Sequence, residues 1–435
     1  MEWWLIYSLS FGTLIVIMFS GLPVAFAFVL ANLIWGLILW GPAGLQQMIL
    51  SMFESITIFT LLPVPLFVLM GEVMFHSGLA TNLLDTMDKW MGRLPGRLGL
   101  VSVASGTILA ALTGASMGSI AMLGSTLVPE MERRGYKKIM SLGPIMGSGG
   151  LAVMIPPSSL AVLLGALGEI SISKLLIAII PGGLLMAALY ALYIIGRCWL
   201  RPDLAPSYEV PPISFMEKIA ITARYVLPMG VVIFLVIGVM MLGIGTPTEA
   251  AATGTLGTYM LAACYGKFNW SLVKKSLHGG LRITAMLFLI VSGATAFSQI
   301  LSYTGASAGF VKFALNPSFH PMMIMIVMQL VLIFLGMFIG QVPIMLITLP
   351  VFMPIVKALG WNPVWFGVLF LINMEVGLLS PPFGMSLFVM KGVAPRNTTM
   401  ADIIRAAMPF IYLDLIALAL IIVFPGLVLW FPGAS

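Results

Sequence analysis

Charge is scarce in this chain of 435 residues: only 8% are Asp, Glu, Lys or Arg, against 60% hydrophobic. Soluble domains carry roughly a quarter of their residues as charges, so that class is excluded and a polytopic membrane protein is implied. Cysteine is almost absent, and Cys198 and Cys264 define neither a disulfide framework nor a zinc site. His76, His278 and His320 are the only histidines and lie far apart, so no metal motif arises from them. There is no His-Glu-x-x-His helix, no histidine placed to serve a nucleophilic serine, and no Gly-Lys-Ser/Thr loop for a phosphate. The chain is therefore not expected to be an enzyme or to hold its own ATP-binding part. A basic stretch before the first apolar run is also missing. Met-Glu-Trp-Trp reads as the start of a first span, not as a cleavable leader. The net charge of +6 is dispersed over short loops, which implies no basic tail and no nucleic-acid partner.

What the chain has is long apolar sequence. Runs near 4–20, 22–42, 57–76, 140–168, 173–196, 225–243, 246–265, 283–303, 362–390 and 405–431 are of spanning length, giving about ten spans. Two further segments, 98–131 and 322–356, are interrupted at their centres and read as re-entrant helical hairpins. Lysine and arginine decide between hairpins and full spans. With the 77–97 loop in the cytoplasm, 18 of the 21 basic residues fall on that side, leaving Lys174, Lys312 and Lys357 outside. That asymmetry follows the positive-inside rule and would be lost if the hairpins crossed the bilayer. Both termini are then expected in the periplasm.

The strongest punctuation is proline. Pro156-Pro157 and Pro381-Pro382 lie 225 residues apart inside apolar runs. Proline lacks a donor and clashes with the preceding turn, so each pair should break a membrane helix near its middle. Lipid cannot satisfy the freed backbone groups; protein, water or a bound solute must. At the same offset Pro129 meets Pro354, Gly135 meets Gly360 and Tyr136 meets Trp361. Gly21-Leu22-Pro23 meets Gly245-Thr246-Pro247 at 224, and Pro181 meets Pro409 at 228. The expected fold is thus an all-α inverted repeat. Residues 1–196 form the first half, 197–224 a cytoplasmic linker with an interfacial helix from about Ser214, and 225–435 the second half. Paired broken helices in two halves point to a solute site between them.

Hairpin one turns within residues 112–119, where glycine permits reversal and hydroxyls can face a small hard cation. One cation site is expected from Thr113, Gly114, Ser116, Ser119, Gly149, Gly150 and Pro156. Its counterpart is expected from Gly340, Gln341, Asn373, Gly377, Pro381 and Gly384. Unwound carbonyls favour Na+ while half-helix N-termini favour an anion, so one pocket can hold both. Ser158, Ser159, Ser116, Gly340 and Pro382 are the candidates for substrate contact. Three carboxylates in or near spans, Glu72, Glu249 and Glu375, are candidate ion-coupling groups. Glu249 also stands at a capping position three residues after Thr246.

On these residues the chain resembles the large membrane subunit of tripartite ATP-independent periplasmic (TRAP) transporters, the DctM-like family. The likeness is carried by Leu112–Met131, Gly147–Ser158, Gly245–Ala252 and Asn373–Gly384. Ser119, where an acidic residue is usual, and Glu375 depart from it. The resemblance implies an elevator mechanism, with both hairpins and both broken helices sliding as a transport domain against a scaffold in the bacterial inner membrane. It further implies Na+ coupling, no other cofactor, a separate four-helix DctQ-like membrane partner and a periplasmic substrate-binding protein. The expected cargo is a small organic acid such as a dicarboxylate, keto acid or sugar acid. The alternatives are a stand-alone Na+/dicarboxylate symporter and a non-transporting scaffold subunit.

Overall fold

The computed structural model describes residues 2–92, 94–113, 116–206 and 214–430. Every regular element among them is a helix. With lipid unable to satisfy a backbone amide, apolar runs of this length have no other spanning conformation than the helix. The first half comprises α1 (Trp3–Phe19), α2 (Val24–Trp40), α3 (Pro42–Ile56), α4 (Pro63–Ser77), α5 (Ala80–Met91), α6 (Arg97–Thr113), α7 (Ser116–Arg133), α8 (Lys138–Met154), α9 (Ser159–Leu167) and α10 (Ile172–Leu200). A linker helix, α11 (Phe215–Tyr225), precedes the second half. That half comprises α12 (Leu227–Met241), α13 (Pro247–Cys264), α14 (Trp270–Tyr303), α15 (Ala306–Ala314), α16 (Pro321–Gly336), α17 (Gln341–Ala358), α18 (Pro363–Leu379), α19 (Met385–Val393), α20 (Met400–Val423) and a final turn α21 (Gly426–Leu429).

The halves repeat element by element. α7 begins at Ser116 and α17 at Gln341, 225 residues on; α8 begins at Lys138 and α18 at Pro363, again 225. α6 and α7 form the first hairpin, α16 and α17 the second, at the places the interrupted runs indicated. Both double prolines interrupt helices, α8 from α9 with a 44° bend and α18 from α19, and both Pro-Pro bonds are cis. The breaks start later than expected. Gly147–Gly150 remain helical, and only Ile155–Ser158 unwinds.

One pair of elements differs between halves. α3 and α4 are separate, whereas α14 runs unbroken for 34 residues over the matching stretch. Pro63 and Pro65 stop the chain from continuing α3 into α4, and no proline occurs between Trp270 and Tyr303. At 1.5 Å per residue α14 is about 51 Å long, well beyond a hydrocarbon core of about 30 Å. Residues 267–282, expected as a loop, are thus mostly its extramembrane portion. α5 and α15 likewise replace expected loops. Among the described residues, by length and hydropathy alone, five helices qualify as spans, up to seven when bent pairs are joined; α1, α2, α16 and α18 are apolar but shorter.

Packing sorts the helices into two groups. α2, α4, α12, α13 and α14 pack on one another; α6 to α10 and α16 to α20 form the other, interleaved across the halves by α8 against α20 and α10 against α18. Glycine permits the closest of these contacts. A Cβ on Gly377 would lie 2.6 Å from Gly336 Cα, and one on Gly147 would lie 2.4 Å from the Phe410 ring. The two groups touch mainly where α4 and α14 meet α6, α9 and α17.

Candidate functional site

At that boundary lies a cavity of about 390 Å³. Glu72 and Gly71 of α4 and Met286 of α14 form one wall, while Ser116 of α7, Gln341 of α17 and Ser159 of α9 face them. Both hairpins thus reach it with the first residue of their second helix. Each arrives there as the start of a new helix, Ser116 beginning α7 and Gln341 beginning α17 after the turn at Met337–Gly340. Ser159 arrives because the Pro156-Pro157 break starts a new helix beside the cavity, its N-terminus capped by Ser158, which accepts from Ala161 N at 3.2 Å. Such an end offers backbone N–H groups and a positive dipole end to an anion.

Behind the cavity the two halves meet on one side chain. Ser116 Oγ donates to Glu375 Oε1 at 2.8 Å, and Gln341 Nε2 approaches the same oxygen at 3.3 Å. Ser116 and Gln341 are matching residues, 225 apart. Glu375 packs on Gly150, its own counterpart at the same offset: a Cβ there would stand 2.4 Å from Oε2. Glu375 therefore occupies the place where the duplicated halves touch, with 1% of its surface exposed. Its Oε2 has no partner among the described residues. Beside it Asn373 Nδ2 donates to Gln329 Oε1 of α16, leaving Asn373 Oδ1 as a second buried acceptor without a partner. These two unpartnered oxygens are hard donors, and no cluster of three His, Cys, Asp or Glu exists among the described residues.

The expected site residues divide accordingly. Ser116 and Ser159 line the cavity, as does Glu72, which bonds His76 Nε2 at 3.3 Å and packs on Gly279 of α14. Gln341 was expected only as a cation ligand and lines it too. Ser158 and Gly340 do not line it; they are the N-cap residues of α9 and α17. Pro382 is exposed and lies away from the cavity, because the second break leaves its turn uncovered while the first is buried. Gly149 and Gly150 sit within helical backbone under Ile120 and Glu375. Pro156 is buried and Pro381 half-buried at the two breaks, Gly384 is wedged against the carbonyls of Leu378 and Ser380, and Gly377 serves the contact with Gly336. Ser119 is buried on α7. Thr113 ends α6, and Gly114 lies outside the described residues. Glu249 closes a capping box: its Oε2 accepts from Thr246 N at 2.7 Å while its own N–H donates to Thr246 Oγ1 at 3.3 Å. It lies away from the cavity, and capping is the role its hydrogen bonds show.

Two buried polar groups went unread. Asp414 of α20 accepts a hydrogen bond from the Tyr190 hydroxyl of α10, and neither is exposed. Gln329 holds Asn373. An isolated acid within Ile411–Ile422 was a legible signal for the first; nothing in an amide among apolar residues marks the second.

Comparison with known proteins brings further findings. The family model for "Tripartite ATP-independent periplasmic transporter, DctM component" matches residues 11–427. The C4-dicarboxylate TRAP transporter large permease protein DctM of Pseudomonas aeruginosa is 31% identical over 400 residues, covering 91% of this chain and 92% of that protein. The isethionate TRAP transporter permease protein DctMQ of Oleidesulfovibrio alaskensis is 29% identical, covering 97% of this chain and 66% of that protein. Among solved structures, the Alcanivorax borkumensis YdaH transporter aligns with a TM-score of 0.66 over 90% of both chains at 14% identity, a likeness of fold alone.

Proposed function

Because the chain belongs to the DctM component family of tripartite ATP-independent periplasmic transporters, we propose that it is the permease subunit of a Na+-coupled importer of a small organic acid. The observation that carries this reading is the cavity of about 390 Å³ where both hairpin tips face α4 and α14. A carboxylate fits there against Ser159 at the positive dipole end of α9, beside Ser116 and Gln341. The relative named for C4-dicarboxylates supports an acidic cargo. Na+ is assigned to the buried oxygens around Asn373 and to the hairpin-one hydroxyls of Ser116 and Ser119. Filling these sites would fix the hairpin tips against the broken helices before the substrate is enclosed.

In this reading α6 to α10 and α16 to α20 move together past the wall of α4 and α14, carrying the cavity's inner face across the membrane as an elevator. A periplasmic binding protein delivers the cargo and a small membrane subunit flanks the wall. The relative named DctMQ, of which this chain matches 66%, supports a Q-type partner. The test is uptake of radiolabelled succinate, and of a keto acid and a sugar acid in parallel, into proteoliposomes holding the chain, its small subunit and the receptor. Accumulation only with an inward Na+ gradient is expected. Equal accumulation without that gradient refutes Na+ coupling, and accumulation without receptor identifies a stand-alone symporter.

A further inference from the structure

α5 and α11 lie side by side. At one end they are clamped: Trp90 Nε1 donates to Thr222 Oγ1 at 2.6 Å, the Lys218 ammonium stands 5.8 Å from the Trp90 ring, and Phe215 meets that ring edge-on. Toward the other end they part around a polar cavity of about 360 Å³. Asn82, Asp85, Thr86 and Lys89 line it from α5, Arg224 and Tyr225 from α11. Its charges are unpaired. Among the described residues no ion pair includes Lys89, Arg224 or Asp85, although Lys89 and Asp85 share one helix face. Both helices belong to loops placed in the cytoplasm by the basic-residue count. Phe215, Met216 and Leu227 of the α11–α12 stretch, all more than 60% exposed, offer apolar surface of the kind that acyl chains cover.

We propose that this cavity binds the headgroup of an ethanolamine phospholipid from the cytoplasmic leaflet. The phosphodiester lies between Lys89 and Arg224, and the ammonium meets Asp85. Two cations with one separate carboxylate match a headgroup that carries both signs. An anionic glycerol headgroup leaves Asp85 without a cation, and a choline headgroup offers it no N–H donor. Position gives the site a consequence. α5 is held to hairpin one by Arg97, whose Nε and Nη2 bond both Asp88 carboxylate oxygens at 2.7 and 2.6 Å. α11 continues through a 46° bend into α12, which belongs to the other packing group. A lipid seated between α5 and α11 thus bridges the two groups. The binding claim stands independently of the transport reading; only an effect on uptake rate rests on it.

The full chain in nanodiscs of phosphatidylcholine, phosphatidylglycerol or phosphatidylethanolamine tests this, read by thermal unfolding and by lipid retained in native mass spectrometry. One tightly held phosphatidylethanolamine and the highest melting temperature in that lipid are expected. Lys89→Gln and Arg224→Gln should each weaken retention about tenfold. Asp85→Asn should erase the preference over phosphatidylcholine while phosphate-dependent retention persists. Indifference of the wild-type chain to headgroup, a comparison that needs no variant, overturns the proposal. Undiminished retention in both glutamine variants does so as well. Protection by free O-phosphoethanolamine or inorganic phosphate equal to that of the lipid reassigns the site to a soluble phosphate and rejects a lipid.

Discussion

Glu375 receives one hydrogen bond from each hairpin tip, so its removal acts on both tips at once. Glu375→Ala leaves buried Ser116 Oγ without its acceptor, at about 1–3 kcal/mol for a buried donor left unpaired, and leaves the Gln341 amide only the Met374 carbonyl. Glu375→Gln keeps an oxygen at that place. Uptake is expected to fall at least about tenfold in the alanine variant and to stay within a few-fold of wild type in the glutamine one. Initial rates at equal membrane content decide this, and wild-type uptake by the alanine variant would remove Glu375 from the mechanism. Gly377 poses a different test. Its Cα faces the Gly336 backbone, which cannot rotate aside as a side chain can. Gly377→Ala should therefore cost about 1–3 kcal/mol of overpacking, visible as a lowered melting temperature in detergent. Glu375 was legible as an acid inside an apolar run. Its partners were legible only in part, because no local pattern shows that Ser116 and Gln341 converge on one oxygen. Asp414 carried the same signal of an acid inside an apolar run and was passed over; only its partner Tyr190, 224 residues away, had no local mark.

Elements were read more fully than their ends. Double prolines rest on local backbone chemistry, and both coincide with helix breaks, as the helix from Phe215 coincides with the expected start near Ser214; the centre of the turn expected at 112–119 lies outside the described residues. α14 was shortened because its first third carries Lys274, Lys275 and Arg282, which a search for apolar runs discards. α5 and α15 escaped because a search for long apolar runs passes over short amphipathic helices. The unwound Ile155–Ser158 segment supplies the strongest prediction at this scale. Pro156-Pro157→Ala-Ala restores the missing donors and lets α8 continue into α9, withdrawing the helix end at Ser159 from the cavity. The variant should insert and fold, as judged by gel filtration, yet show no uptake. Transport at the wild-type rate would sever the break from function.

For the whole molecule, the count of basic residues predicts sidedness. A membrane-impermeant amine reagent applied to intact spheroplasts should modify Lys312 and Lys357 and spare Lys274 and Lys275; inverted vesicles should give the opposite pattern. The reverse result would invert the topology. Two contacts join the halves, Lys357 Nζ to Glu169 Oε2 at 2.7 Å on the face expected to be periplasmic and Lys138 to Asp402 at 3.1 Å on the face expected to be cytoplasmic. Exposed pairs of this kind contribute little, about 0–1 kcal/mol each. Cohesion between the halves rests instead on the glycine-lined crossings of α8, α10, α18 and α20. The contact of Glu375 with Gly150 has an ancestral corollary. Those two positions descend from one codon if the gene arose by doubling, yet they abut, and a carboxylate at both would force two anions into the space of one. The pairing of glycine with acid is therefore what lets the two halves close on each other here: one copy gives up its side chain so that the other can keep a carboxylate at the seam.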